Sequence, residues 1–133
     1  MNKITVHAET EINPTESEEK VRRAIENMFG DVPIHVKALH KGNLLVAEIT
    51  GLDALNKFQN LLRRERIRSA ARAVFYEGLE GNAVNFCLNK QVAFAGHVSF
   101  SKEVAESPLG AIRIKIGCDS PRQLIDWLAP RNV

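Results

Sequence analysis

Residues 3–12, KITVHAETEI, decide the fold. Ile4, Val6, Ala8, Thr10 and Ile12 alternate with Lys3, Thr5, His7, Glu9 and Glu11, which predicts a strand with one apolar and one wet face. A sheet that is wet on one side favours antiparallel pairing, because parallel sheets are covered on both faces by their crossover helices.

Working outward, Asn13-Pro14-Thr15-Glu16 predicts a helix start, with Asn13 as cap, Pro14 in the first turn and Glu16 three residues on. Val21, Ile25, Met28 and Phe29 form its apolar stripe, and Gly30 ends it. Residues 34–40 and 43–50 predict a hairpin turned at Lys41-Gly42. Thr50 is expected to cap the next helix, with Asp53 three residues on and Leu52, Leu55, Phe58 and Leu62 on the buried side. Ile67, Ala71, Val74 and Phe75 carry the helical spacing further, so residues 52–76 read as two helices or as one kinked near Arg66.

Residues 83–89 and 91–100 read as a second hairpin around Asn89-Lys90-Gln91. Val84, Phe86 and Leu88 alternate, as do Val92 and Phe94, which places Phe94 in the core and His97 on the opposite face. A loop with its turn at Ser107-Pro108-Leu109-Gly110 leads to a strand over 111–116, with Ile112, Ile114 and Ile116 inward and Arg113 and Lys115 outward. A last helix opens at Ser120-Pro121, buries Leu124, Ile125 and Leu128 beside Trp127, and stops before Pro130. The expected order is β-α-β-β-α-(α)-β-β-β-α, an α+β fold in one domain over residues 1–133.

At 133 residues and 44% hydrophobic content, the chain can bury a core without disulfides or a metal. No apolar stretch nears the roughly 18 residues of a membrane span. The alternating, charged N-terminus does not read as a signal peptide. Cys87 and Cys118 are too far apart in sequence for a CxxC pair. The expected setting is cytoplasmic.

The net charge of +2 does not by itself favour nucleic acid, but its distribution is uneven. Residues 1–33 hold seven acids against four bases. Residues 54–73 hold Lys57, Arg63, Arg64, Arg66, Arg68 and Arg72 against the single acid Glu65. Arginine forks suit phosphate, so this run predicts one positive face. On a continuous helix Arg64, Arg68 and Arg72 share a face that Tyr76 extends, and guanidiniums in line can meet successive phosphates. The same pattern also fits a solvated helix face with Glu65 and Glu77 as partners. In the Asn89-Lys90-Gln91 turn, amides can read base edges and Lys90 can meet phosphate; a plain polar turn is the other reading.

Signals for catalysis are weak. His7, His35, His40 and His97 are scattered, with no metal-ligand spacing. The glycines Gly78, Gly81, Gly96 and Gly110 are isolated and form no phosphate loop. Cys87 has no recognisable base beside it. Neither catalytic nor metal-binding residues are assigned, and no cofactor is expected.

LNKQVAFAGHVSF (residues 88–100), ESPLGAIRIKI (106–116) and LIDWLAP (124–130) carry a resemblance, which RERIRSAARAVF (64–75) extends over essentially the whole chain. The chain resembles a family of small archaeal proteins described as predicted RNA-binding proteins or predicted exosome subunits. The resemblance implies a fold similar to that of the L-five ribosomal protein, an antiparallel sheet with helices packed mainly on one face. It implies RNA as the ligand. Its pattern falls on Arg68, Arg72, Asn89, Lys90, Gln91, Gly96, Leu109, Gly110, Trp127 and Pro130.

Residues and resemblance together predict a non-catalytic protein that contacts structured RNA. The expected surface is Arg63, Arg64, Arg66, Arg68 and Arg72, the turn Asn89, Lys90 and Gln91, and the strand residues Arg113 and Lys115. Two other readings stay open. One is a protein-interaction subunit of an RNA-processing assembly with no direct RNA contact; a homodimer stays open beside any of these readings. The other is a small-ligand or metal-dependent enzyme using His7, His35 or His97.

Overall fold

The computed structural model describes residues 3–101 and 110–131. Its elements follow the α+β order, with strands β1 (Ile4–Ile12), β2 (Ile34–Ala38), β3 (Asn43–Thr50), β4 (Leu79–Glu80), β5 (Ala83–Asn89), β6 (Phe100–Ser101) and β7 (Ala111–Cys118). The helices are α1 (Glu18–Phe29), α2 (Asn56–Arg64), α3 (Arg68–Glu77), α4 (Lys90–Phe94) and α5 (Pro121–Leu128), with a 3-10 turn at Leu52–Leu55 before α2. The strands form one antiparallel sheet in the order β2-β3-β1-β7-β5-β4, with β6 also on β5.

The alternation of β1 places its residues as expected. Ile4, Val6, Ala8, Thr10 and Ile12 are buried, whereas Thr5, His7, Glu9 and Glu11 are exposed or half-exposed. Buried Thr10 satisfies its hydroxyl by donating to the Ala111 carbonyl at 3.1 Å. Ile112, Ile114 and Ile116 of β7 join the same core face, with Arg113 and Lys115 opposite. The helices bury their apolar stripes against this face: Val21, Ile25 and Met28 from α1, Phe58 and Leu62 from α2, Ala71 and Phe75 from α3, and Leu124 and Ile125 from α5. Five of the six phenylalanines, Phe29, Phe58, Phe75, Phe86 and Phe100, make successive ring contacts of 5.0–6.5 Å that tie three helices to β5 and β6.

Local details differ from the sequence expectation. α1 starts at Glu18 rather than near Pro14. Glu16 does fold back on Asn13, accepting its backbone N–H at 3.0 Å and its side-chain amide at 2.8 Å, but this closes a turn ahead of the helix. Gly51, not Thr50, precedes the 3-10 turn. The segment expected to return as a strand after Asn89 begins instead as α4. The Asn89 side chain accepts from the Val92 N–H at 3.0 Å, so it caps a helix where a hairpin turn was expected. Phe94 is consequently exposed rather than in the core, with the Lys20 ammonium 5.9 Å from its ring. Only Phe100–Ser101 of that segment pairs with β5. The loop turn expected at Ser107-Pro108-Leu109 lies outside the described residues.

α3 closes on the sheet through Gly78. The Asn85 N–H donates to the Gly78 carbonyl at 2.9 Å, and a Cβ at residue 78 would sit 1.7 Å from the Asn85 carbonyl oxygen. Only glycine permits that approach.

Candidate nucleic-acid interface

The break between α2 and α3 sets the geometry of the arginine run. At the end of α2, the Arg66 N–H donates to the Arg63 carbonyl and the Ile67 N–H to the Leu62 carbonyl, both at 3.2 Å. This is the bonding of a Schellman cap, and its left-handed position is Arg66, with φ of 58°. Glycine is usual there, and its absence left the break ambiguous in the sequence. Arg64 and Arg68 therefore sit on separate helices, and the single continuous row of arginines is not formed.

A tight corner takes its place. Arg63 and Arg64 are in the last turn of α2, where the helix dipole favours cations. Arg66 is at the cap, and Arg68 opens α3, at the end of the dipole where a cation gains nothing. Arg63, Arg64 and Arg66 are exposed and Arg68 is half-exposed. Arg63 donates to the Asn60 side chain at 2.8 Å, a neutral partner that leaves its charge in place. Glu65 turns inward: it accepts the Val98 N–H at 3.1 Å and lies 3.5 Å from His97 Nδ1. The one acid of the run thus anchors the segment after α4, away from the exposed Arg63, Arg64 and Arg66.

Four of the expected contact residues are engaged within the fold. Lys90 is 3% exposed, and its ammonium donates to the Glu11 carbonyl at 2.7 Å and to Glu16 at 3.0 Å. It fixes α4 against the turn before α1, and the expected phosphate contact is corrected to this structural role. Asn89 is the α4 cap. Arg72 pairs with Asp126 at 2.7 Å and donates to the Ala129 carbonyl at 3.1 Å, clamping α3 to α5. Arg113 pairs with Glu9 at 3.1 Å, on the sheet face opposite the helices. Gln91 on α4 and Lys115 on that same outer face are exposed.

The outer face carries an ion-pair row. His7 Nδ1 lies 2.9 Å from Glu48, His7 Nε2 lies 3.4 Å from Glu9, and Glu9 reaches Arg113. Burial raises the Glu9 carboxyl, but the Arg113 hydrogen bond and charge, with His7, outweigh it and hold the carboxyl below the usual carboxylate range. The histidines do not converge: β3 lies between His7 and His35, and His97 is beside Glu65. Among the described residues there is no cluster of three or more His, Cys, Asp or Glu placed to hold a metal. No helix among them is long and apolar enough to cross a membrane.

The sequence reading missed one arrangement. Ser69, Arg72 and Tyr76 lie three to four residues apart on one face of α3, and that face meets Arg122, Pro130 and Arg131 across an open hollow of about 650 Å³. The Arg72 guanidinium carbon is 5.2 Å from the Tyr76 ring centre and that of Arg122 is 5.7 Å from it. A helical stripe is legible in Ser69, Arg72 and Tyr76; Arg122 and Arg131 join it only through the packing of α5 on α3.

A family model described as RNA binding matches residues 5–118. A UPF0201 protein of Sulfurisphaera tokodaii is 43% identical over 132 residues, 99% of this chain and 90% of that protein. One from Pyrobaculum aerophilum is 42% identical, covering 97% of this chain and 91% of its own length. The crystal structure of a UPF0201 protein from Methanococcus jannaschii superposes with a TM-score of 0.85 at 30% identity, over 97% of this chain and 95% of that one.

Proposed function

The chain belongs to the family described as RNA binding, and from that premise we propose that it binds structured RNA, without catalysis, through the corner between α2 and α3. One observation carries this reading: Arg63, Arg64 and Arg66 are exposed together at a single helix-to-helix turn while Glu65, the acid among them, folds back to Val98. Guanidiniums at such a corner neutralise phosphates and follow the shape of a folded RNA, with little reading of sequence. Gln91 is the remaining polar group of the expected surface on the helical side.

The test is binding of the full chain to a labelled stem-loop RNA across a salt series. Affinity should fall steeply with salt, by about 0.7 to 0.9 logarithmic units per logarithmic unit of salt for each phosphate neutralised. The Arg64→Ala/Arg66→Ala double variant should lower that slope by about two units. An unchanged slope in the variant removes the corner as the site, and no binding at low salt removes the RNA reading.

A further inference from the structure

The hollow between α3 and α5 has a chemistry the corner lacks. The chain has one tyrosine, and guanidiniums from two helices lie against its ring. Arg72 is held by Asp126 and the Ala129 carbonyl, and its charge is already matched. Arg122 and Arg131 are exposed on the rim, and among the described residues no ion pair engages either. The hollow thus presents a ring-and-guanidinium layer of Tyr76, Arg72 and Arg122, with the Arg131 fork beside it. A volume near 650 Å³ is in the range of sites that take a small organic ligand.

We propose that this hollow seats one unpaired nucleotide of a single-stranded RNA segment, its base against the layer of Tyr76 and Arg122 and its phosphate on Arg131. Aromatic rings and arginine planes stack on bases, but only on bases out of a duplex, because paired bases keep their faces against their neighbours. A bare anion needs the Arg131 fork and not the ring. A duplex can meet the cations of the corner, but its paired bases have no free face to offer the hollow. The proposal rests on the RNA-binding reading and adds a second contact of different kind.

The single tyrosine makes the test direct. Tyrosine-selective isotope labelling of the full chain gives one ring signal, which is followed in titrations with an unstructured hexaribonucleotide, adenosine monophosphate, inorganic phosphate and an RNA duplex. The hexamer should move the signal saturably, the monophosphate should do so more weakly, and inorganic phosphate should leave it in place. Arg122→Ala and Arg131→Ala, both at exposed positions, should each weaken hexamer binding about tenfold. The Arg64→Ala/Arg66→Ala variant should lose duplex affinity while the hexamer still moves the ring signal. A still ring signal, with duplex binding that remains steep in salt, overturns the seat and leaves the RNA reading standing. Saturation by the monophosphate as tight as by the hexamer, or a full shift with phosphate alone, overturns the assignment to an RNA strand. Failure of both hexamer and duplex overturns the RNA reading and the seat with it.

Discussion

Two groups of cations that look alike in the sequence behave oppositely in the fold. At the α2–α3 corner, Arg63, Arg64 and Arg66 are exposed and their neighbouring acid is turned away. At Lys90, Arg72 and Arg113 the charge is met by Glu16, Asp126 and Glu9, from parts of the chain distant in sequence. Charge available to a polyanion is set by the partners the fold supplies, not by the count of bases. The first group should govern binding and the second stability.

The comparison breaks most visibly at Lys90. Lys90→Met removes one partner of a buried pair and leaves the Glu16 carboxylate, 10% exposed, without its cation. Urea unfolding should show a loss of about 3 to 5 kcal/mol, with the RNA affinity of the folded protein unchanged. A cost below about 1 kcal/mol, or lost affinity at full stability, would merge the two groups. Arg72→Ala should cost less, about 1 to 3 kcal/mol, because its partner Asp126 returns to solvent when the α3–α5 clamp opens. Thermal unfolding measures it.

Arg66 sharpens the contrast, since one change should move the two properties in opposite directions. Arg66→Gly relieves a left-handed backbone position and should stabilise by about 0.5 to 1 kcal/mol, yet lower the salt slope of RNA binding by about one unit. Equal slopes for the two proteins would show that this guanidinium does not meet phosphate. The smallest effect is at Glu9. Its folded pKa is depressed, so its contribution is complete above the unfolded carboxylate value and is lost as pH falls through the folded value. The stability gap between the protein and Arg113→Gln should therefore close on acidification. A gap constant from pH 7 to pH 2 would show that the pair contributes nothing through this titration.

The sheet was legible because period-two alternation in KITVHAETEI and AIRIKI extends over whole strands, and one buried face fixes their register. The segment after Asn89 was not, because Val92 and Phe94 offer a single alternation, and a capping asparagine resembles a turn asparagine until Val92 is seen to bond to it. The corner was half legible: the arginines were plain, but a Schellman cap with arginine in the glycine position leaves no punctuation. Lys90 misled the surface reading because its partner Glu16 is 74 residues away. The hollow was hidden for the same reason, since Arg122 and Arg131 meet Tyr76 only after α5 has docked.

The seam where Gly78 meets Asn85 reaches beyond α3. Along the outer margin of β5, residues 83 and 84 are taken by β4, Asn85 by Gly78, Cys87 and Leu88 by β6, and the Asn89 N–H by the Ser99 carbonyl. Among the described residues the strands doing the covering are two residues long, too short to template another chain. At the far end, β2 is paired on one side by β3, and among the described residues no strand pairs with its other side. Endless stacking of copies into a fibre needs a sticky margin at each end of every copy. With one margin covered among the described residues, a copy lacks the second edge that such stacking requires.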